Sequence, residues 1–228
     1  MLVNHRRGLG AAAALLAGAA AIGLLLALPA TKGGVQAVDD AVWRLVGHLQ
    51  NPAVTAVGKA FAFVGSVWVN WPLRVAAAVL LAVRRRWIQL LAFALAVLTS
   101  ELLIGPVKAA YARPRPPGDL ISTTGYAFPS GHAIAGAVTA VGLVLVLLPP
   151  GRSRWRWEVY AVIFSFLMAL SRVYLRAHWL SDTVAGGLLG AGLALGWPAL
   201  LMSARAGVQR RRTPPAVTGD EQVAGRPG

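Results

Sequence analysis

The chain has 228 residues, 57% of them hydrophobic and 13% charged, with a mean hydropathy of +0.61. A soluble domain averages about 45–50% apolar and about 25% charged residues, so a disordered chain, a fibrous repeat and an ordinary soluble enzyme are all excluded. Lysine and arginine number 22 against 8 acids, and there is no cysteine, which removes disulfides, thiolate nucleophiles and cysteine metal sites. A soluble nucleic-acid binder can carry a net charge of +14, but hardly with this hydropathy. The composition reads as an all-α, polytopic membrane protein.

A spanning helix needs about 20 mostly apolar residues. The first such run is Gly8 to Leu28, ended by Pro29. It follows His5-Arg6-Arg7, as a signal peptide would, but it exceeds a signal core of about 7–15 residues, and Leu28-Pro29-Ala30 is a poor cleavage site. A retained helix is expected. Across 31–66 charges recur at Lys32, Asp39, Asp40, Arg44 and Lys59, while Val35, Val38, Val42, Leu45 and Val46 keep helical spacing. That pattern predicts an amphipathic helix lying at the interface.

The second span runs from about Ser66 to Val83, with Trp68, Trp71 and Arg74 suited to a water–lipid boundary where arginine can snorkel. Four more follow: Trp87 to Gly105, His132 to Leu148, Glu158 to Leu175, and Thr183 to about Met202. Residues 1–206 are therefore read as one six-span membrane domain. Residues 207–228, basic and proline-containing, are read as a disordered cytoplasmic tail.

With the N-terminus inside, 13 of the 22 basic residues fall on the cytoplasmic side, at Arg6 and Arg7, Arg84–Arg86, the Arg152/Arg154/Arg156 turn, and the C-terminal arginines. The positive-inside rule favours that orientation, with both termini cytoplasmic in a multi-pass cell-membrane protein. The residues that violate the hydropathy then gather at one outer level. Lys108, Arg113 and Arg115 follow span three, Ser130-Gly131-His132 opens span four, Arg172 and Arg176 end span five, and His178 and Asp182 lead into span six. Ionisable groups at such depth are expensive and are usually paired or functional.

Together these types suit an anion. A helix starting at Pro129-Ser130-Gly131 offers free N–H groups and a positive dipole end, and arginine and lysine add charge. His178 and Asp182 are four apart, so on a helical turn the carboxylate can fix one imidazole nitrogen and leave the other as a nucleophile or base. His132 is then available as an acid for the leaving group. Two histidines and a phosphate clamp make phosphoryl transfer feasible without a metal or cofactor.

Three motifs stand in order here: Lys108-(six residues)-Arg115-Pro116, Pro129-Ser130-Gly131-His132, and Ser171-Arg172-(five residues)-His178-(three residues)-Asp182. This set resembles the three-part signature of the type 2 phosphatidic acid phosphatase superfamily. The resemblance implies a metal-independent membrane phosphatase that passes through a phosphohistidine. It gives His178 the role of nucleophile, Asp182 that of its orienting partner, and His132 that of the acid. Lys108, Arg115, Ser130, Gly131 and Arg172 become the phosphate cradle. The haloperoxidases of that superfamily are soluble, and the spans argue against that branch.

Of the two Arg-Pro pairs, spacing from Lys108 selects Arg115, leaving Arg113 to contact a headgroup or solvent. Arg176 is balanced between gripping a second phosphate and snorkelling. Glu101 reads as a satisfied core partner, and the tryptophans as belt residues, although Trp179 could pack against substrate. The expected partners are the bilayer and a lipid phosphate or diphosphate, not nucleic acid. Polyprenyl diphosphate is narrowly favoured over phosphatidylglycerol phosphate and phosphatidic acid, because the composition looks bacterial and the site outward-facing. The rival readings are a lipid phosphotransferase with a non-water acceptor and a non-catalytic phospholipid-binding membrane protein.

Overall fold

The computed structural model describes residues 5–212, and every regular element among them is a helix. The first, α1 (His5–Ala27), gives way at the extended Leu28 to α2 (Pro29–His48). Pro29 suits this start, because the first helical position has no intrahelical partner for an N–H. The 31–66 segment is two helices, not the single interfacial helix expected. Asn51 accepts a hydrogen bond from the Val54 N–H at 2.9 Å and caps α3 (Pro52–Val64), so the Asn-Pro pair restarts the chain. A bend at Gly65-Ser66 leads into α4 (Val67–Val83), and α3 and α4 meet at 44°.

Next come α5 (Trp87–Tyr111), α6 (Gly131–Leu147), α7 (Arg152–Tyr174) and α8 (Leu180–Arg212). α5 runs past the expected end at Gly105, and so carries Lys108 on its last turn. α8 runs past Gly207, because the residues from Val208 to Arg212 are compatible with a helix and no proline falls among them. Residues 207–212 thus belong to the last helix, and the rest of the expected tail, 213–228, lies outside the described residues.

α1, α5, α7 and α8 are each long and apolar enough to cross a bilayer. The bent α3–α4 pair passes the same test only when its two helices are taken together, and α6 is apolar but only 17 residues long. Large apolar side chains such as Trp68, Val83, Leu102 and Phe166 face outward, as lipid requires. α8 packs on α1, α6, α5 and α7, and α6 in turn on α7 and α5, so α6 and α8 form the middle of the bundle.

Their seam is glycine. A Cβ on Gly186 would sit 2.8 Å from the Ser130 carbonyl oxygen, and one on Gly190 would sit 2.5 Å from that of Ile134. Small residues let helix backbones approach closely in a membrane, where packing supplies most of the attraction. Beside the seam, Ile134 and Val138 join Leu81, Phe93 and Val97 in the main apolar cluster.

Arg74 does not snorkel. It is buried, with Nη1 donating to Glu101 Oε1 at 2.7 Å and Nε to Thr139 Oγ1 at 2.9 Å. A charge held inside the bundle needs a nearby counter-charge, and Glu101 of α5 supplies it.

Candidate active site

The site forms where four helix ends meet the 112–130 loop. α5 closes with Ala112 in the left-handed region (φ 42°), which turns the chain into Arg113-Pro114-Arg115-Pro116. The loop returns to α6 through Ala127, Phe128 and a cis Phe128–Pro129 bond. Ser130 caps α6, and its own N–H donates to the Asp182 carbonyl at 3.0 Å. The beginnings of α6 and α8 are thereby tied together.

His178 lies just before α8 and is only 3% exposed. Its Nδ1 faces the Ala127 carbonyl oxygen at 2.8 Å, and its Nε2 faces Arg115 Nη1 at 3.2 Å. A carbonyl only accepts and a guanidinium only donates. These partners therefore put the proton on Nδ1 and leave Nε2 unprotonated, its lone pair accepting from Arg115. Burial pushes the imidazole down to about 4; Asp182 pulls it back up, and Arg115 and Arg172 add to the lowering. The ring is neutral near pH 7. Burial also lowers Arg115 from the ordinary guanidinium value, with Asp182 and then Asp119 opposing.

The expected His178–Asp182 hydrogen bond is not formed. Asp182 Oδ2 stands 3.7 Å from Nδ1, too far for one, and instead accepts from the Trp179 N–H at 2.9 Å. Oδ1 is taken by Arg113 Nη1 at 2.6 Å. The group that directly orients the imidazole is a backbone carbonyl, which no side-chain pattern reveals.

Arg115 and Arg172 act electrostatically on both His178 and His132, and Lys108 lies within reach of Arg115, Asp182 and Arg172. Arg115 spends its guanidinium mainly on carbonyls: Gly125 at 2.9 Å, Thr124 at 2.7 Å and Ala177 at 2.6 Å. Lys108 donates to the Tyr126 carbonyl. Arg172 is buried, and its Nε makes no hydrogen bond. Among the described residues none of the three cations has a carboxylate at ion-pair distance. A Cβ on Gly131 would meet nothing within 4 Å, so open space lies above the first residue of α6. Among the described residues no three His, Asp or Glu side chains gather as metal ligands would.

Arg113 departs most from expectation. It is buried and both terminal nitrogens are engaged, with Nη1 on Ser181 Oγ (2.7 Å) and Asp182 Oδ1 (2.6 Å), and Nη2 on Gln36 Oε1 (2.8 Å) and Asp39 Oδ2 (2.7 Å). Asp39 also accepts from the Ser181 N–H and hydroxyl, at 2.9 and 2.6 Å. The sequence held a signal for it: Val35, Asp39, Val42 and Val46 share one helical face, so an acid interrupts the stripe that turns inward. Trp179 is no belt residue, being buried with its indole N–H on the Pro114 carbonyl at 2.9 Å. Arg176 lies over the Trp43 ring, 4.4 Å from its centroid, and so reaches α2.

Comparison with known proteins identifies the family and the fold. Residues 87–205, more than half of the chain, match the PAP2 superfamily. Phosphatidylglycerophosphatase B of Bacillus subtilis is 29% identical over 176 residues, which cover 73% of this chain and 85% of that one. An undecaprenyl-diphosphatase of Sulfolobus acidocaldarius is 38% identical over 71 residues, and there the match spans only 32% of the relative's length. The crystal structure of a transmembrane PAP2-type phosphatidylglycerolphosphate phosphatase from Bacillus subtilis superposes with a TM-score of 0.71 at 24% identity, covering 88% of this chain and 98% of that one. The curated relatives carry phosphatase names, and the shared fold extends well beyond the matched segment. The chain belongs to the PAP2 superfamily.

Proposed function

We propose that this protein is a membrane phosphatase that hydrolyses a lipid phosphate or diphosphate through a phosphohistidine. One observation carries the reading: the unprotonated Nε2 of a neutral, buried His178 stands beside Arg115, and Arg115, Arg172 and the nearby Lys108 have no carboxylate at ion-pair distance among the described residues. A set of fixed positive charges around a nucleophile is the main device of phosphoryl transfer, where negative charge spreads over the equatorial oxygens.

In the proposed reaction, Lys108, Arg115 and Arg172, with Ser130 and the Gly131 backbone, hold the phosphoryl oxygens. His178 Nε2 attacks phosphorus while the ester or anhydride P–O bond breaks, its electron pair leaving on oxygen. His132 gives that oxygen a proton. Water, deprotonated by His132, then attacks the phosphohistidine, and inorganic phosphate leaves. Asp182 contributes its charge beside the imidazole, at 3.7 Å.

The distribution of lysine and arginine supports a site on the extracytoplasmic side with cytoplasmic termini. Outward-facing apolar side chains around the bundle support lateral entry of a lipid tail. Among substrates, polyprenyl diphosphate is the narrow preference. The names of the relatives, a diphosphatase and a phosphatidylglycerophosphatase, keep both headgroup types in view.

The test is phosphate release in detergent with EDTA present, from a polyprenyl diphosphate, phosphatidylglycerol phosphate and phosphatidic acid. EDTA-resistant release by the wild type, lost in His178→Ala, is the expected result, and relative rates rank the substrates. Folded wild-type protein releasing phosphate from none of them would overturn the hydrolase reading. Full activity in His178→Ala would remove the phosphohistidine.

A further inference from the structure

The cluster Asp39–Arg113–Asp182 lies behind the reacting imidazole and takes no part in the cradle described above. It carries three charged side chains, all 6% exposed or less, in a continuous ion-pair chain: Asp39 Oδ2 to Arg113 Nη2 at 2.7 Å, and Arg113 Nη1 to Asp182 Oδ1 at 2.6 Å. Ser181 braces the Asp39 end, donating through N–H and hydroxyl to Asp39 and accepting from Arg113. The three charges come from α2, the 112–130 loop and α8. A buried arrangement so completely satisfied fixes the position of every member.

We propose that Asp39 and Arg113 are positioning residues for the reaction centre: Arg113 holds Asp182 off the His178 ring and offsets its charge there, and Asp39 sets how strongly Arg113 does so. The inference rests on the reading of His178 as the reacting imidazole. Asp182 is placed to face Nδ1, yet both its oxygens are committed elsewhere, one to Arg113 and one to the Trp179 N–H. The carboxylate therefore stops at 3.7 Å while the neutral Ala127 carbonyl takes the Nδ1 proton. An uncompensated carboxylate at that distance in a low-dielectric site would favour the imidazolium strongly, and an imidazolium has no lone pair to attack with. Arg113 supplies the compensation, and Asp39 prevents Arg113 from cancelling Asp182 outright. The other titratable and charged groups around the site are Lys108 on α5, Arg115 in the loop, His132 on α6 and Arg172 on α7. All remain in place in the variants below.

The signs are opposite for the two residues. Removing the charge of Arg113 exposes His178 to Asp182 and favours protonation; removing the charge of Asp39 frees Arg113 to act more fully on Asp182 and disfavours it. The experiment is an NMR titration of histidine-labelled full-length protein in detergent. The His178 ring is assigned by its loss in His178→Ala, and wild type, Arg113→Gln, Arg113→Lys and Asp39→Asn are compared. In Arg113→Gln the midpoint is expected to rise by about one pH unit or more. In Asp39→Asn it should fall or pass out of range, and in Arg113→Lys, which keeps the charge, it should stay near the wild-type value.

A midpoint unmoved in both Arg113→Gln and Asp39→Asn, or moved in the same direction, would overturn the proposal. If Arg113→Gln does not fold, Asp39→Asn decides alone: a downward shift supports the proposal, and no shift or an upward one rejects it. Phosphate release measured on the same samples separates this inference from the hydrolase reading. A silent wild type with shifted midpoints defeats the reading and leaves the electrostatic device standing. An active wild type with unmoved midpoints does the reverse.

Discussion

A histidine nucleophile working near pH 7 must be neutral and must point its lone pair at the substrate. In the role proposed for His178, neutrality and tautomer are set by neighbours that are not acids: the Ala127 carbonyl fixes Nδ1–H, and burial, with Arg115 and Arg172 nearby, brings the ring down to about 4. The expected pH profile follows. A free histidine titrates near 6.5, so kcat/KM should stay flat through that value and fall only as pH drops through about 4. An acid limb near 6.5 in steady-state assays would place the proton elsewhere. Stability has the same sign. Between about 6.5 and about 4 the unfolded chain binds a proton that the folded site refuses, so stability is full above 6.5 and declines as pH falls across that window.

The cradle has its own prediction. Arg172→Ala or Arg115→Ala should cost about 10²–10³ in kcat, the range for losing one preorganised donor, with melting temperature little changed for Arg172, whose Nε binds nothing in the protein. What the sequence revealed at this scale was the set of residue types. Lys108, Arg115, His132, Arg172 and His178 are brought to one place, because their motifs fall at helix ends that a bundle of short-looped spans must align. Arg113 and Asp39 were hidden for opposite reasons. Arg113 stands beside a better-spaced arginine, and Asp39 lies in a segment whose hydropathy suggests only a membrane surface. An acid on the inward stripe of α2 marks Asp39, but nothing local marks Arg113 as its partner.

Among the elements, the α6–α8 seam sets the geometry. Gly190→Ala puts a Cβ 2.5 Å from the Ile134 carbonyl oxygen, so the two helix backbones must part. The expected cost is about 1–3 kcal/mol, read as a lower melting temperature in detergent, together with loss of activity as the Ser130–Asp182 backbone bond between the helix starts is stretched. Gly187→Ala is the control: nothing lies within 4 Å of its Cβ, and it should melt as the wild type does. The span pattern was readable from hydropathy alone, since lipid tolerates little else. The breaks inside 31–66 were not, because a cap such as Asn51-Pro52 acts over a single turn while the amphipathic signal averages over several. Arg74 was misplaced for a related reason: its partner Glu101 belongs to another span. Arg74→Ala should lower the melting temperature, though by less than breaking a fully buried pair does, because Glu101 is 35% exposed, whereas Arg74→Met with Glu101→Gln should recover most of the loss.

For the whole molecule the orientation is directly measurable, because the chain contains no cysteine. Single cysteines introduced at Asp119, in the loop over the site, and at Arg85, in the turn between α4 and α5, can be tested with a membrane-impermeant maleimide on intact cells. Labelling of Asp119→Cys and protection of Arg85→Cys until lysis is the expected outcome, and the reverse pattern would turn the molecule over.

The bond between the starts of α6 and α8 has a further bearing on how such a protein diversifies. The groups proposed to act on phosphorus sit at helix ends and on the loop clamped to them, whereas the apolar outward faces of α1, α4 and α7 lie away from that level. On the proposed reading, changes on those outer surfaces can alter which tail is accommodated without disturbing the spacing of the two histidines. A lineage can therefore exchange one lipid for another while its chemistry stands still.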